Sequence, residues 1–77
     1  MRLHLNLVNA ELARLGFKAQ LAKGDGYFYF RGGEAAEWID TVAKGRRLND
    51  LTLKEWVSEF RRLQDLNRQL MRSVKPR

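Results

Sequence analysis

Apolar residues recur along the chain with two different periods, and the change of period marks where one element ends and the next begins. Near the N-terminus the spacing is three or four residues, as on one face of a helix. The positions are Leu5, Val8, Leu12 and Leu15. Gly16 then stands where glycine commonly follows a helix C-terminus. We predict a helix from about Leu5 to Leu15, and the alternation of Leu3, Leu5 and Leu7 leaves an extended lead-in open.

In the next two segments the character of the side chain changes at every residue. This period of two is typical of a half-buried strand, whose successive side chains point to opposite faces. The segments are FKAQL at residues 17–21 and YFYFR at residues 27–31. The intervening KGDG carries two glycines, which accept the positive φ angles of tight turns. We therefore predict that the two segments form a β-hairpin.

Residues 34–50 carry weaker signals. EAAEWID at 34–40 suits either a short helix or an irregular segment, and both alternatives stay open. TVAK at 41–44 contains β-compatible residues, and we interpret it as a third strand. KGRRLND, which follows, suits a loop or a short extended piece.

The last third of the chain predicts the longest helix, over about residues 53–71. Thr52 and Glu55 have the spacing of a capping box, in which each side chain binds the backbone N–H of the other residue. Leu51 and Trp56 occupy the positions of a hydrophobic staple. Apolar residues then continue at helical spacing. They are Leu53, Trp56, Val57, Phe60, Leu63 and Leu70.

These elements predict one α+β domain over residues 1–72 in the order αβββα, followed by a loose basic tail over residues 73–77. Two helices can cover only one face of a small antiparallel sheet. Phe28 and Phe30 share a strand face, and we expect them beneath the helices because phenylalanine has no polar atom to hydrate. Tyr27, Tyr29 and Arg31 then fall on the open face.

The open face is the first candidate binding surface. Tyr27, Tyr29 and Arg31 can together dock a peptide or stack bases. We expect a protein partner there, and a homodimer through the same face is an alternative. A purely structural interpretation is that the tyrosines cover a small sheet, since cross-strand aromatic pairs stabilise hairpins.

Charge supplies the second candidate surface. The 77 residues carry a formal net charge of +6, of which residues 61–77 contribute +5. Nucleic acid is therefore the alternative partner, bound by a basic loop and the last helix. The candidate residues are Lys44, Arg46, Arg47, Arg61, Arg68 and Arg72. Stabilisation of the helix C-terminus by cations, and pairing of Asp65 with its arginine neighbours, explain part of this pattern without a partner.

The composition of the chain limits which metal sites, cofactors and catalytic groups it could contain. The chain has no cysteine and one histidine, His4, so neither a thiolate nor a histidine-rich metal site is expected, nor any other cofactor. No nucleophile has an evident base beside it, and we expect a non-enzymatic protein. We also expect a cytoplasmic location without membrane association, since no signal peptide or long apolar run is present.

One set of residues supports a resemblance that covers roughly residues 8–63. It comprises Asn9, GYFYF at 26–30, Gly32, Gly33, Trp38, LNDLTL at 48–53 and Trp56. In these features the chain resembles small uncharacterised proteins encoded by bacteriophages and prophages of proteobacteria. The resemblance implies an accessory protein that acts on a phage or host macromolecule, and it supports a third strand. It supplies no catalytic or binding residue.

Overall fold

A computed structural model describes residues 3–74 and places a β-hairpin against two helices. The elements are α1 (Leu5–Arg14), β1 (Gln20–Lys23), β2 (Phe28–Arg31) and α2 (Leu53–Val74). Two short 3₁₀ helices, Gly33–Ala35 and Leu48–Asp50, lie between β2 and α2. The α+β class is confirmed, with the order α1-β1-β2-α2.

Helix α1 ends where glycine was predicted to end it. The N–H of Phe17 donates to the carbonyl of Leu12 at 2.9 Å, and the N–H of Gly16 donates to Ala13 at 3.0 Å. This pair of bonds is a Schellman motif, which needs a left-handed residue after the helix. Gly16 supplies it with a φ of 94°.

The predicted hairpin is confirmed, with a shorter first strand. β1 and β2 are antiparallel, and Leu21 lies opposite Phe30. Gly26 turns the chain with a φ of 81°. Residues 17–19 do not join the ladder, because β2 ends at Arg31 and the chain then turns into a 3₁₀ helix. The Glu34 carboxylate binds the N–H groups of Lys18 and Ala19 instead.

The predicted third strand is wrong: within residues 3–74 the sheet has two strands. Val42 forms only an isolated antiparallel bridge with Tyr29. Backbone bonds between Phe30 and Thr41 and between Ala43 and Phe28 flank this bridge. The alternate N–H groups, at positions 42 and 44, bind side chains instead of another strand. The N–H of Val42 donates to the Asp40 carboxylate at 3.2 Å, and the N–H of Lys44 donates to Glu59 at 3.0 Å.

Helix α2 begins as predicted and ends three residues later than predicted. The capping box is present, with Thr52 N–H donating to Glu55 Oε1 at 2.8 Å and Glu55 N–H donating to Thr52 Oγ1 at 3.1 Å. The helix runs through residues 73 and 74 of the predicted tail. Residues 75–77 of that tail lie outside the described residues.

The core lies between one face of the hairpin and the inner faces of both helices. Its largest fully buried side chains are Val8, Leu12, Leu21, Phe30, Trp56, Phe60 and Leu63. The Phe30 ring meets Phe60 edge-on at a centroid distance of 5.2 Å, and Phe28 meets Trp56 edge-on at 5.5 Å. Such edge-to-face pairs add stabilisation beyond buried area.

Candidate interaction surfaces

The hairpin presents its tyrosines away from the helices, as predicted. Phe28 and Phe30 are buried, whereas Tyr29 is half-buried and Arg31 is exposed. Tyr27 precedes the strand and keeps 41% of its surface exposed. The expected orientation is confirmed, and the use of these residues in binding stays a prediction. We call Tyr27, Tyr29, Arg31 and Val42 the hairpin face.

The two tyrosine rings hold each other in place. Their centroids lie 5.8 Å apart at an interplanar angle of 42°. The Tyr27 ring also lies directly on Gly24, since a Cβ atom built there would come within 2.3 Å of the ring. Both rings are therefore ordered by contacts within the hairpin before any partner arrives.

Val42 belongs to this face, although the charge and aromatic patterns did not single it out. Its bridge to Tyr29 places the two side chains on the same side of the sheet, and Val42 is 48% exposed. The signal available in the sequence was its place in the predicted third strand. An exposed valine beside a tyrosine extends the aromatic patch with aliphatic surface.

The outer edge of β1 is closed by a helix side chain. Asn9 on α1 accepts a hydrogen bond from the Leu21 N–H at 2.6 Å and donates one to the Leu21 carbonyl at 3.2 Å. These are the two bonds that a neighbouring strand would make. The side-chain amide thus blocks strand addition at this position.

The basic loop is exposed at its side chains and anchored at its backbone. Lys44, Arg46 and Arg47 all lie in solvent. The Asp50 carboxylate accepts from the N–H groups of Arg46 and Arg47 at 3.2 and 3.0 Å. Gly45 packs against Trp56 so closely that a Cβ would lie 2.9 Å from the indole. The loop is therefore held against the inner side of α2.

Glu59 on α2 links this loop to the helix through hydrogen bonds. It is 7% exposed and accepts from Arg62 and from the Lys44 N–H. Burial alone would raise the pKa of Glu59, but these hydrogen bonds outweigh it and hold the pKa below its usual value. Glu59 is thus a buried anion that fixes the start of the loop, a role the sequence did not indicate.

The predicted helix cations lie on the opposite side of α2 from the loop. Arg61, Arg68 and Arg72 are exposed, at positions that share one face of the helix. The guanidinium of Arg61 lies 5.3 Å from the centroid of the Phe17 ring. Arg68 makes a 3.8 Å ion pair with Asp65, and both side chains are mostly exposed. The structure therefore splits the predicted nucleic-acid residues into two separate groups.

A shallow groove of about 260 Å³ runs between the first 3₁₀ helix and the C-terminal half of α2. Trp38 and Met71 provide its apolar surface, Glu37 lies on one side and Arg68 on the other. Across residues 3–74, no cluster of three or more histidine, cysteine or acidic residues could hold a metal ion. None of the helices described is both long enough and apolar enough to span a bilayer.

Comparison with known proteins adds no family assignment: no protein-family model matches the chain, and neither a curated protein nor a solved structure is significantly similar to it.

Proposed function

We propose that the protein is a non-enzymatic protein-binding module whose binding surface is the hairpin face. The observation that carries the proposal is the pair of ordered tyrosines on the side of the sheet that no helix covers, with Tyr27 41% exposed. Tyrosines with restricted rotamers bury much contact surface at low entropic cost, and they are common anchors in protein interfaces.

The chemistry of this face favours a protein over stacked bases. One side of the Tyr27 ring is occupied by Gly24, and the Tyr29 ring is half-buried. Val42 adds exposed aliphatic surface beside Tyr29. A patch of this kind suits an apolar side chain from a partner, and Arg31 at its border suits an acidic group beside that side chain.

The occupied main-chain groups at both strand edges support recognition through the hairpin face and not through a strand edge. Asn9 binds the outward N–H and carbonyl of Leu21. On the other side, Asp40 binds the outward N–H of Val42. A partner strand would have to displace these bonds before it could pair with the sheet.

The resemblance to phage and prophage proteins suggests where the partner comes from. We propose an accessory protein of that kind, acting on a host or phage protein in the bacterial cytoplasm. A second copy of the chain is the alternative partner for the same face, and measurement of the mass in solution separates the two.

The test is quantitative capture from a bacterial host lysate by the immobilised protein. We expect the double variant Tyr27→Ala with Tyr29→Ala to capture at least tenfold less partner than the wild type, because it removes both rings. Met71→Ala is the matched control, since Met71 is also 41% exposed but lies on α2.

Two further measurements make the result decisive. Circular dichroism has to show that the double variant remains folded. Sedimentation equilibrium has to show whether the wild-type chain is a monomer or a dimer. If the wild type is a dimer through the hairpin face, the double variant is expected to be a monomer. Equal capture by the wild type and the folded double variant would exclude the hairpin face as the binding surface.

A further inference from the structure

The solvent side of α2 carries a straight row of cations. Four basic residues fall within a narrow sector of the helix when successive positions are rotated by about 100°. They are Lys54, Arg61, Arg68 and Arg72, and each of them is exposed. With a rise of about 1.5 Å per residue, the first and last lie roughly 27 Å apart along the axis. We call these four residues the α2 stripe.

Little negative charge compensates this stripe. Asp65 is the one acid in the same sector, and its 3.8 Å contact with Arg68 is long and solvent-exposed. Exposed pairs of this kind contribute at most about 1 kcal/mol. The ion pairs formed within residues 3–74 include neither Lys54 nor Arg72. Three positive charges along the stripe are therefore in excess.

Packing orients the middle of the stripe. The Arg61 guanidinium lies over the Phe17 ring, and the Phe17 ring in turn packs on Phe60 at a centroid distance of 4.6 Å. This contact restricts the Arg61 side chain, which lowers the entropy that a bound anion would have to remove.

We propose that the α2 stripe binds the phosphate backbone of a nucleic-acid duplex without reading its sequence. A duplex is a stiff rod with about one charge per 1.7 Å of axis, so a straight row of cations roughly 27 Å long can contact several phosphates at once. Contacts to phosphates position a protein but carry no sequence information.

Other anionic partners fit the stripe less well. Single-stranded nucleic acid is bound largely by stacking on exposed rings. The two rings beside the stripe are half-buried: Phe17 lies under Arg61, and Trp38, which shares a groove with Arg68, packs on core phenylalanines. An anionic membrane selects helices with a broad apolar face beside the cations. The apolar side of α2 instead holds the core residues Trp56, Phe60 and Leu63.

The stripe and the hairpin face lie on opposite sides of the two-layer domain, because α2 turns its apolar side toward the hairpin. A duplex on the stripe therefore leaves the tyrosines accessible. This inference is independent of the proposed function, and either one can fail without the other.

The test is fluorescence anisotropy of a labelled 25-base-pair DNA duplex with the full chain at 20 and 150 mM NaCl. The variant Arg68→Gln with Arg72→Gln removes two stripe cations. The control Arg46→Gln with Arg47→Gln makes the same change of charge in the basic loop. We expect the stripe variant to bind at least tenfold more weakly at 20 mM salt and the control to change less than threefold.

The salt dependence gives a second readout. Each phosphate contact contributes a slope of about −0.9 in log affinity against log salt, so the stripe variant is expected to reduce the magnitude of the slope by nearly two. No duplex binding at 20 mM salt would overturn the proposal. Equal weakening by the loop control, tighter binding of a 25-nucleotide single strand, or tighter binding to phosphatidylserine vesicles would also overturn it.

Discussion

The side chain of Asn67 on α2 forms a closed pair of hydrogen bonds with the backbone of Asp40. Its Oδ1 accepts from the Asp40 N–H at 2.8 Å, and its Nδ2 donates to the Asp40 carbonyl at 2.6 Å. Nδ2 also donates to the carbonyl of Leu63 at 2.8 Å. Asn67 is fully buried, so one side chain fixes the segment between β2 and α2 to the helix.

We expect Asn67→Ala to destabilise the protein by about 2–4 kcal/mol, because it leaves a cavity and unpaired backbone groups in the interior. Urea denaturation followed by circular dichroism measures this loss. Gln69→Ala is the control on the exposed side of the same helix, where we expect a change below about 0.5 kcal/mol. Similar midpoints for the two variants would contradict the role given to Asn67.

Gly33 is expected to tolerate no side chain. Its φ is 47°, and a Cβ atom would lie 2.5 Å from the carbonyl carbon of Lys18 and 2.6 Å from the nitrogen of Ala19. We expect Gly33→Ala to cost about 3 kcal/mol or more in unfolding free energy. Gly16→Ala is the comparison, because Gly16 also has a positive φ but has open space around it. There we expect a loss of about 1 kcal/mol, and the reverse order of the two variants would refute the close-approach argument.

Acid is expected to destabilise the fold through Glu34 and Glu59. Burial tends to raise the pKa of both carboxyls, but hydrogen bonds from the Lys18 and Ala19 amides at Glu34, and from Arg62 and the Lys44 amide at Glu59, hold each pKa below its usual value. A carboxyl whose pKa is lower in the folded state stabilises the protein above its unfolded pKa. That stabilisation is lost as the pH falls from about 5 toward the folded pKa.

The pH effect is measured as the urea midpoint between pH 7 and pH 3. We expect Glu59→Gln to lower stability at pH 7 by about 1–2 kcal/mol, since it weakens the bonds to Arg62 and Lys44. It should also flatten the decline below pH 5. Glu37→Gln makes the same change of charge at an exposed position and is expected to leave the decline unchanged. If the urea midpoint of Glu59→Gln declined below pH 5 as steeply as that of the wild type, Glu59 would not be the cause of the decline.

The capping box gives a prediction of smaller magnitude. Thr52→Ala removes the hydroxyl that accepts from the Glu55 N–H, and we expect a loss of about 1 kcal/mol in unfolding free energy. Thr52→Ser keeps an acceptor at the same place and should change stability by a few tenths of a kcal/mol at most. Thermal unfolding of the pair separates loss of the cap from loss of the methyl group.

Periodicity predicted the elements whose hydrogen bonds are local. Short-range patterns predicted the C-terminus of α1 at Gly16, the N-terminus of α2 at Thr52 and the hairpin between them. They also predicted the burial of Phe28 and Phe30, and the structure confirms all of these. The third strand was wrong: residues 41–44 make a single bridge to β2, and side chains distant in sequence bind other main-chain groups of the segment. Asp40 pairs with Asn67 across 27 positions, and Lys44 pairs with Glu59 across 15.

A usable signal for these partners was present in the helix pattern. Asn67 lies four residues after Leu63 and three before Leu70, so it interrupts the apolar side of α2. Polar residues at such positions are buried, and a buried amide needs hydrogen-bonding partners. The pattern could have identified Asn67 as a structural residue, but it could not have named Asp40. The binding candidates Tyr27, Tyr29 and Arg31 were placed correctly on one face, whereas the six basic candidates divide between two sides of α2.

The side-chain amides of Asn9 and Asn67 also bear on how the domain unfolds. Each belongs to a different helix, and each satisfies main-chain groups next to a hairpin that is too small to persist alone. Loss of either helix would uncover main-chain groups able to recruit strands from other molecules. Truncated forms should therefore precipitate instead of surviving as half-size units, and the four elements should melt in one cooperative step.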